Sequence, residues 1–476
     1  MKLLYIGAGF VGACSAAVSA DSGHNTLVYD ISEEKIKLLS SGDRDTIQSC
    51  LFENGLGDLL IRNKERIEFT LDYNLVEKFL DDCDAIFMCL PTPEIGETGE
   101  SNLTYYFDAA EKLACSLLKR NQSKQEKYII IVNKSTVPID MVNHTQEIMD
   151  KAGVKNYGIV SNPEFLVEGK AISGSLKPDR IVVGAWAEKD FIIMRQVYQR
   201  FYNSPNVEYV EVNPKEAAAG KLLANFYLFN KLAICFDVIG RTCETFSDLQ
   251  FENLRKILTT DPRIGSWGLY DSLYAGGSCF IKDARSLSHQ LQTTGTNAIL
   301  VNETYLANKR QLENFLGRAE KEAQIDWTDK TVALLGVAFK RDTNDIRNSS
   351  SIEIGNFLKE KQVKTVQIYD PAGMDFFKQV FPESNQFVYC KSEIECVMAI
   401  PTTPPIGGAN GVDVIIIATD WPQFRGLGEL ILQLPNRPLI MDGRRMLQHN
   451  YIDLQQAGFD VIAVGSPFLK GIRNKE

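Results

Sequence analysis

From Lys2 to about Val212, short apolar runs alternate with longer amphipathic stretches, and the runs Leu3–Ile6, Thr26–Tyr29, Ala85–Leu90, Tyr128–Val132 and Tyr157–Val160 predict strands. Strands punctuated by helices imply a mostly parallel sheet covered on both faces. At Asn213-Pro214 the pattern changes. An Asn that can cap, Pro at the first helical position and Glu216 at the third are strong start signals, and Leu222, Leu223, Phe226, Phe229, Leu232, Ala233 and Phe236 then recur at helical spacing. No strand-like run interrupts until well past residue 300, so the middle of the chain is expected to be helical. Thr331–Gly336 opens a second strand-and-glycine unit, continued by Val366–Tyr369, Val412–Ala418 and Pro438–Met441, which echoes the first. The expected division is 1–212, 213–325 and 326–476. Pro401 to Gly411 reads as a surface loop, Lys119 to Lys127 as a solvated connection, and Lys470 to Glu476 as a frayed end.

Composition agrees with this division, since 476 residues at roughly 150 per domain make about three. The chain is 44% hydrophobic and 24% charged, ordinary for a globular protein with buried cores. Lys and Arg total 51 against 61 Asp and Glu, and the net charge of −10 with no basic cluster disfavours a nucleic-acid partner. The N-terminus runs straight into a glycine turn without an apolar leader, and no segment is expected to approach the roughly 18 apolar residues of a membrane span. A cytoplasmic protein with reduced thiols is expected. Its ten cysteines form no Cys-x-x-Cys and its four histidines are scattered, so no metal site is expected.

Gly7-Ala8-Gly9-Phe10-Val11-Gly12 follows the first strand and opens a helix of small residues. Gly7 permits a tight turn, Gly9 lets a pyrophosphate approach the backbone, and Gly12 allows close helix–strand contact. Asp30 ends the second strand, where a carboxylate suits a ribose 2′-hydroxyl and repels a 2′-phosphate, favouring NAD over NADP; a flavin or a vestigial turn also fits the glycines alone. Arg341 and Arg347, taken singly, read equally well as phosphate contacts or as solvated surface.

The most unusual segment is Tyr274-Ala275-Gly276-Gly277-Ser278-Cys279-Phe280-Ile281-Lys282-Asp283. Glycines admit a ligand, a thiol follows, and a cation and a carboxylate lie within one turn, as a reactive thiolate requires. Beside a nicotinamide the thiol has a purpose. Attack on an aldehyde gives a tetrahedral adduct that can lose a second hydride, leaving a thioester for water to cleave. Lys221 and Asn225 share a helix face and suit an oxyanion, though a solvated pair reads the same. Glu164 and Glu168 lie one turn apart if their segment is helical. Lys134-Ser135-Thr136-Val137-Pro138 closes a strand where open α/β sheets bind ligands, or forms a simple ST-turn.

These motifs, in this order, resemble the UDP-glucose/GDP-mannose dehydrogenase family across nearly the whole chain. The matching segments include Gly7 to Gly12, Lys134 to Pro138, Asn162 to Gly169, Pro178 to Arg180, Lys221 with Asn225, Asp261 to Gly265, Gly276 to Asp283, Gly336 to Arg347 and Asp442 to Arg445. The resemblance implies two Rossmann-like doubly wound parallel-sheet domains joined by a long central helix and helical domain. It implies Cys279 as nucleophile, Lys221 and Asn225 on oxyanions, Thr136 and Asp283 holding a proton-accepting water, and Glu164 assisting thioester hydrolysis. NAD would be held by Gly7, Gly9, Phe10, Val11, Gly12, Asp30, Lys35, Thr92, Thr136, Glu168, Lys282 and Arg347. The nucleotide sugar would meet Phe165, Leu166, Glu168, Lys221, Asn225, Tyr274, Gly276, Phe280, Phe339, Lys340 and Arg444, with Arg263 from a neighbouring subunit. A dimer on the central helices, or a larger homo-oligomer, is implied as well. The chain departs from the family at Ile281, where Pro is usual, at Leu273 to Gly277, and at Asp43 to Cys50. Arg263-Ile264-Gly265 and Ser278-Cys279-Phe280 lean toward UDP-glucose over GDP-mannose or UDP-N-acetylmannosamine. A single-oxidation β-hydroxyacid enzyme would leave Cys279 and the second α/β domain unexplained. A silent nucleotide-binding protein would leave unexplained the set Cys279, Lys221, Asn225 and Asp283.

Overall fold

The computed structural model describes residues 1–123, 127–270, 272–398 and 411–473. The chain divides into two compact units, Met1–Ala224 with Arg285–Asn297, and Asn225–Ala284 with Ala298–Glu476.

The first unit is built on β1 (Lys2–Ile6), β2 (Asn25–Tyr29), β3 (Ile67–Thr70), β4 (Ala85–Met88), β5 (Ile129–Asn133), β6 (Tyr157–Ser161), β7 (Arg180–Gly184) and β8 (Glu208–Val212). Their spatial order is β3-β2-β1-β4-β5-β6-β7-β8, parallel except for the single β6–β7 pairing of Ser161 with Gly184. Every residue of β4 and β5 is buried, as expected of strands covered on both faces, and these are among the runs legible in the sequence. The strands that escape the apolar scan are β3, β7 and β8. They lie at or near the sheet's two edges, and Glu208–Val212 has no buried residue at all.

The second unit holds β9 (Thr331–Leu335), β10 (Thr365–Tyr369), β11 (Phe387–Tyr389), β12 (Val414–Ile417), β13 (Leu439–Asp442) and β14 (Val461–Ala463), all parallel in the order β11-β10-β9-β12-β13-β14. Its first turn repeats that of the first unit. Gly7 N–H donates to Tyr29 O at 2.8 Å and Gly336 N–H to Tyr369 O at 2.8 Å, and both glycines take positive φ, 104° and 92°. Downstream of the turn the two differ. Asp370, which follows β10 as Asp30 follows β2, is wholly buried and accepts from the N–H groups of Val337, Ala338, Ala372 and Gly373 and from Trp421 Nε1, at 2.7–3.0 Å.

The central helix Pro214–Ala233 starts where the sequence places it. Asn213 N–H donates to Glu216 Oε2 at 2.9 Å and Glu216 N–H to Asn213 Oδ1 at 3.0 Å, a reciprocal cap. It continues as a π-helix over Ile234–Gly240 and a further turn over Arg241–Thr245, a change of pitch that apolar spacing does not reveal.

Three expectations need correction. The run Pro214–Thr245 reaches a mean hydropathy of 1.5 over an 18-residue window and is long and apolar enough to cross a membrane. Lys221 and Lys231 break any unbroken apolar stretch, which is why a search for such stretches passes over it. Within the fold the run carries the buried ion pair described below, and Leu222, Phe229, Leu232 and Phe236 are buried along it. The supposed connection from Lys119 begins inside the helix Thr104–Ser123, held there because Arg120 is buried and donates to Lys127 O at 2.9 Å; residues 124–126 lie outside the described residues. Lys470 to Arg473 does not fray. Gly471 N–H donates to Asp460 at 2.8 Å, Ile472 N–H donates to Gln455 O at 2.8 Å, and Arg473 pairs with Asp460 at 3.1 Å. The proline-rich stretch 401–410 and the last residues, 474–476, are outside the described residues.

Asp370→Ala would orphan four backbone donors and an indole N–H. The expected loss of stability is roughly 3 kcal/mol or more, read as a lower urea midpoint at unchanged slope; a variant within 1 kcal/mol of the parent, on the order of one ordinary hydrogen bond, would contradict this account.

Candidate active site

In the first unit the glycine turn has the geometry its sequence predicts. A Cβ on Gly7 would lie 2.2 Å from Cys89 O and one on Gly12 would lie 1.9 Å from Gly7 O, so neither position admits a side chain. Gly9 is different, because nothing lies within 4 Å of its Cβ position. The helix Phe10–Asp21 begins there with no side-chain cap, leaving its first N–H groups for an anion. Phe10 and Val11 are half-buried at the rim. One oxygen of Asp30 accepts from Ala8 N–H at 2.6 Å, the other from Ser32 N–H at 2.9 Å, and Lys35 Nζ stands 3.6 Å away. The open ground over Gly9 and this partly exposed carboxylate fit a dinucleotide. Asp370, already holding five donors, does not. The strand ends beside the turn are stitched together, with Leu90 N–H donating to Ser135 Oγ at 2.8 Å and Thr92 Oγ1 to Thr136 O at 2.8 Å.

The segment Asn162 to Lys170 is not helical, so Glu164 and Glu168 do not stand one turn apart as the sequence suggested. Side-chain carboxylates satisfy its backbone instead. Glu164 Oε2 accepts from Leu166 N–H at 2.5 Å, and the fully buried Glu53 accepts from Gly169 N–H at 2.5 Å and Ala171 N–H at 2.9 Å. Glu53 is a positioning group to which the sequence alone assigns no role, because its partners lie more than a hundred residues away. The other Glu164 oxygen, Oε1, pairs with Lys221 Nζ at 3.1 Å, the two side chains only 8% and 5% exposed. Between Arg180, with Cζ 3.9 Å from the ring centroid, and Lys221, with Nζ at 5.3 Å, lies Phe165.

In the second unit Cys279 is exposed and caps the helix Phe280–Thr293, its carbonyl accepting from Asp283 N–H at 2.8 Å. Asp283 is fully buried; Asn225 Nδ2 donates to its Oδ2 and Lys282 Nζ to its Oδ1, both at 2.6 Å. The lysine foreseen as the thiol's neighbour is therefore also the carboxylate's partner. The approach loop is clamped at each step. Ala275 exchanges hydrogen bonds with the amide of buried Asn308 at 2.8 and 3.1 Å, Gly277 N–H donates to Arg347 O at 3.0 Å, and Asn348 Nδ2 donates to Gly277 O at 3.0 Å. Phe339 packs so closely that a Cβ on Gly276 or Gly277 would fall within 2.9 Å of it, and Lys340 Nζ lies 5.6 Å from the Phe339 ring. Tyr274 is half-buried, and Phe280 stacks on Phe229 at 6.2 Å. Ile281, in place of the usual proline, is buried in the first turn.

Arg444 donates to Ser272 Oγ and, at 3.0 Å, to Asp420 Oδ1, while its buried Nε has no partner. Burial pushes the Asp420 carboxyl up, but the Arg444 charge and the Arg341 N–H outweigh it and hold the group below the usual range. Arg263 and Arg347 are each gripped by the aspartate two residues earlier, Asp261 and Asp345, at 2.6 Å, on exposed loops.

The sequence matches the UDP-glucose/GDP-mannose dehydrogenase family in three parts: the NAD binding domain over residues 1–202, the central domain over 215–310 and the UDP binding domain over 333–449. UDP-glucose 6-dehydrogenase of Rickettsia felis is 30% identical over 467 residues, covering 98% of this chain and 96% of that protein. UDP-glucose 6-dehydrogenase of Pseudomonas aeruginosa is 28% identical over 473 residues, covering 98% of both. Among solved structures, a UDP-glucose dehydrogenase from Pyrobaculum islandicum superposes with a TM-score of 0.81 at 26% identity, covering 94% of this chain and 95% of that one.

Burial pushes the Cys83 and Cys89 thiols up to about 12, with the Asp84 charge adding to the effect at Cys83, so both stay protonated well above neutrality. Iodoacetamide at pH 8 followed by peptide mass spectrometry should label the exposed Cys279 and Cys115 and leave Cys83 and Cys89 intact; equal labelling of all four would refute the assignment of these environments.

Proposed function

The chain belongs to the UDP-glucose/GDP-mannose dehydrogenase family of NAD-dependent oxidoreductases, and we propose that it oxidises UDP-glucose to UDP-glucuronate, with two NAD+ and one water giving two NADH and three protons. The observation that carries this reading is the exposed thiol of Cys279 at a helix N-terminus, with the buried Asp283 in the first turn behind it, held by Asn225 and the half-buried Lys282. Bound NAD+ supplies a hydride acceptor for each of the two oxidations. The first oxidation makes an aldehyde at C6 of the sugar. Cys279 attacks that carbon, and helix N–H groups, which favour negative charge, help stabilise the oxyanion with Lys221 and Asn225. Loss of the second hydride leaves a thioester on Cys279, which water cleaves, releasing the carboxylate and the thiol.

Two features of the side chains support these roles. Lys221 is buried against a single carboxylate, so its ammonium is both desolvated and held in place. A preorganised cation of this kind stabilises a developing alkoxide far better than a hydrated one. Asp283 is fully buried with Asn225 and Lys282 as donors, a setting that suits a group holding a water with Thr136 as the first proton leaves. Glu164, whose second oxygen is spent on its own loop, would assist thioester hydrolysis, with Glu168 close by in sequence.

NAD would be bound by 1–212, with Gly7, Gly9, Phe10, Val11, Gly12, Asp30, Lys35, Thr92, Thr136 and Glu168, and with Lys282 and Arg347 contributing from elsewhere in the chain. The nucleotide would meet 326–476 through Phe339, Lys340 and the unpartnered Nε of Arg444. Phe165, Leu166, Tyr274, Gly276 and Phe280 would complete its surroundings. Residues 213–325 would form a cytoplasmic homodimer or larger assembly, an arrangement favoured by exposed Leu223, Tyr227, Ile234 and Val238 along the central helix, with Arg263 reaching the partner's substrate.

Across a panel of UDP- and GDP-sugars, UDP-glucose should give the highest kcat/KM and two NADH per molecule consumed; one NADH, or preference for another sugar nucleotide, would overturn the assignment. Cys279→Ser should lower acid formation on the order of a thousandfold or more, and Glu164→Gln should accumulate a covalent sugar adduct on the chain, visible by intact mass. Unchanged acid formation in the serine variant would remove Cys279 from the chemistry.

A further inference from the structure

Behind the Asn162–Leu166 loop the first unit holds a cavity of about 320 Å³, whose lining shares Glu164, Phe165 and Leu166 with the site above but includes none of Gly7, Gly9 and Gly12. At its floor is Lys134, only 7% exposed. Its ammonium donates to Asn162 Oδ1 at 3.0 Å and to Tyr198 Oη at 3.2 Å, and Tyr198 itself donates to Asn162 Oδ1 at 2.6 Å. All of these partners are neutral. Among the described residues no carboxylate lies within ion-pair distance of Lys134, although charges this deep are ordinarily matched by an opposite one.

An ammonium has three donors, and two are engaged. The third donor and the unmatched charge remain for the cavity. Nearby, Tyr5 Oη and Ser19 Oγ share one hydrogen bond at 2.7 Å, which leaves one hydroxyl proton of the pair to offer. Lys170, Lys177 and Arg180 stand among the more exposed lining residues, against only Glu164 and Asp179 of opposite sign, and Glu164 is already neutralised by Lys221. Val18, Ile181, Val197 and Phe201 supply apolar wall.

We propose that this cavity is a binding site for a small anion, a carboxylate or phosphate on a compact body, whose charged group pairs with Lys134 and accepts from the Tyr5–Ser19 pair. Such a ligand would share the ammonium with Asn162, and Asn162 stands two residues before Glu164. If Glu164 serves in hydrolysis as read above, occupancy changes turnover without competing with NAD. The site itself does not depend on that reading.

The test is calorimetric titration of the full chain with inorganic phosphate and, separately, with D-glucuronate, in saturating NAD+ and UDP so that other phosphate-binding groups are filled. Saturable binding of at least one probe is expected, and the tighter probe identifies the source of the anion. Lys134→Met should weaken it on the order of tenfold or more, and Tyr198→Phe or Ser19→Ala by a smaller factor; these two milder variants carry the test if the first does not fold. A tungstate-soaked crystal should show its metal beside Lys134. No saturable binding by the parent chain, or affinity unchanged in the variants, would overturn the proposal while leaving the NADH stoichiometry unaffected.

Discussion

An ammonium removed from water is ordinarily matched by negative charge, and on the central helix that match is made by one carboxylate. The Lys221–Glu164 pair, almost wholly buried, ties the irregular segment after β6 to the helix Pro214–Ala233. Removing either partner would leave the other buried and uncompensated, which costs roughly 3–5 kcal/mol in comparable settings. Four residues further along the same helix, Asn225 meets the buried Asp283 and so engages the helix that Cys279 begins. The helix Pro214–Ala233 therefore supplies one partner of a buried polar pair to each of the two units.

The two α/β units share a turn and use it differently. Gly7 and Gly336 make the same bond to the neighbouring strand, yet the ground over Gly9 is open and Asp30 holds two backbone donors, whereas Asp370 holds five donors and is sealed. Hydrogen-bond saturation of one carboxylate thus separates a turn whose aspartate is open to a dinucleotide from one whose aspartate serves the fold.

Much of this was legible in the residues. The apolar strands of both sheet centres, the glycine turn and the Asn213–Glu216 cap announce themselves, because burial on both faces and backbone caps act locally. What escaped depends on partners distant in sequence. The Asn162–Lys170 segment is open to a helical reading, but Glu53, more than a hundred residues earlier, takes the N–H groups of Gly169 and Ala171. Edge strands such as Glu208–Val212 lack the apolar run that marks a central one. The π-helical stretch Ile234–Gly240 leaves no compositional trace, and the grip of Asp261 on Arg263 and of Asp345 on Arg347 concerns side chains whose spacing alone allowed several outcomes.

The saturation of Asp370 also bears on ligand choice. For the second unit to make a ribose contact here, that carboxylate would have to release donors it now satisfies. Orphaning all five would cost roughly 1–3 kcal/mol each, a total of the same order as the 5–15 kcal/mol that keeps a typical domain folded. A ribose held at this position would therefore compete directly with the bonds that close the second unit's own first turn.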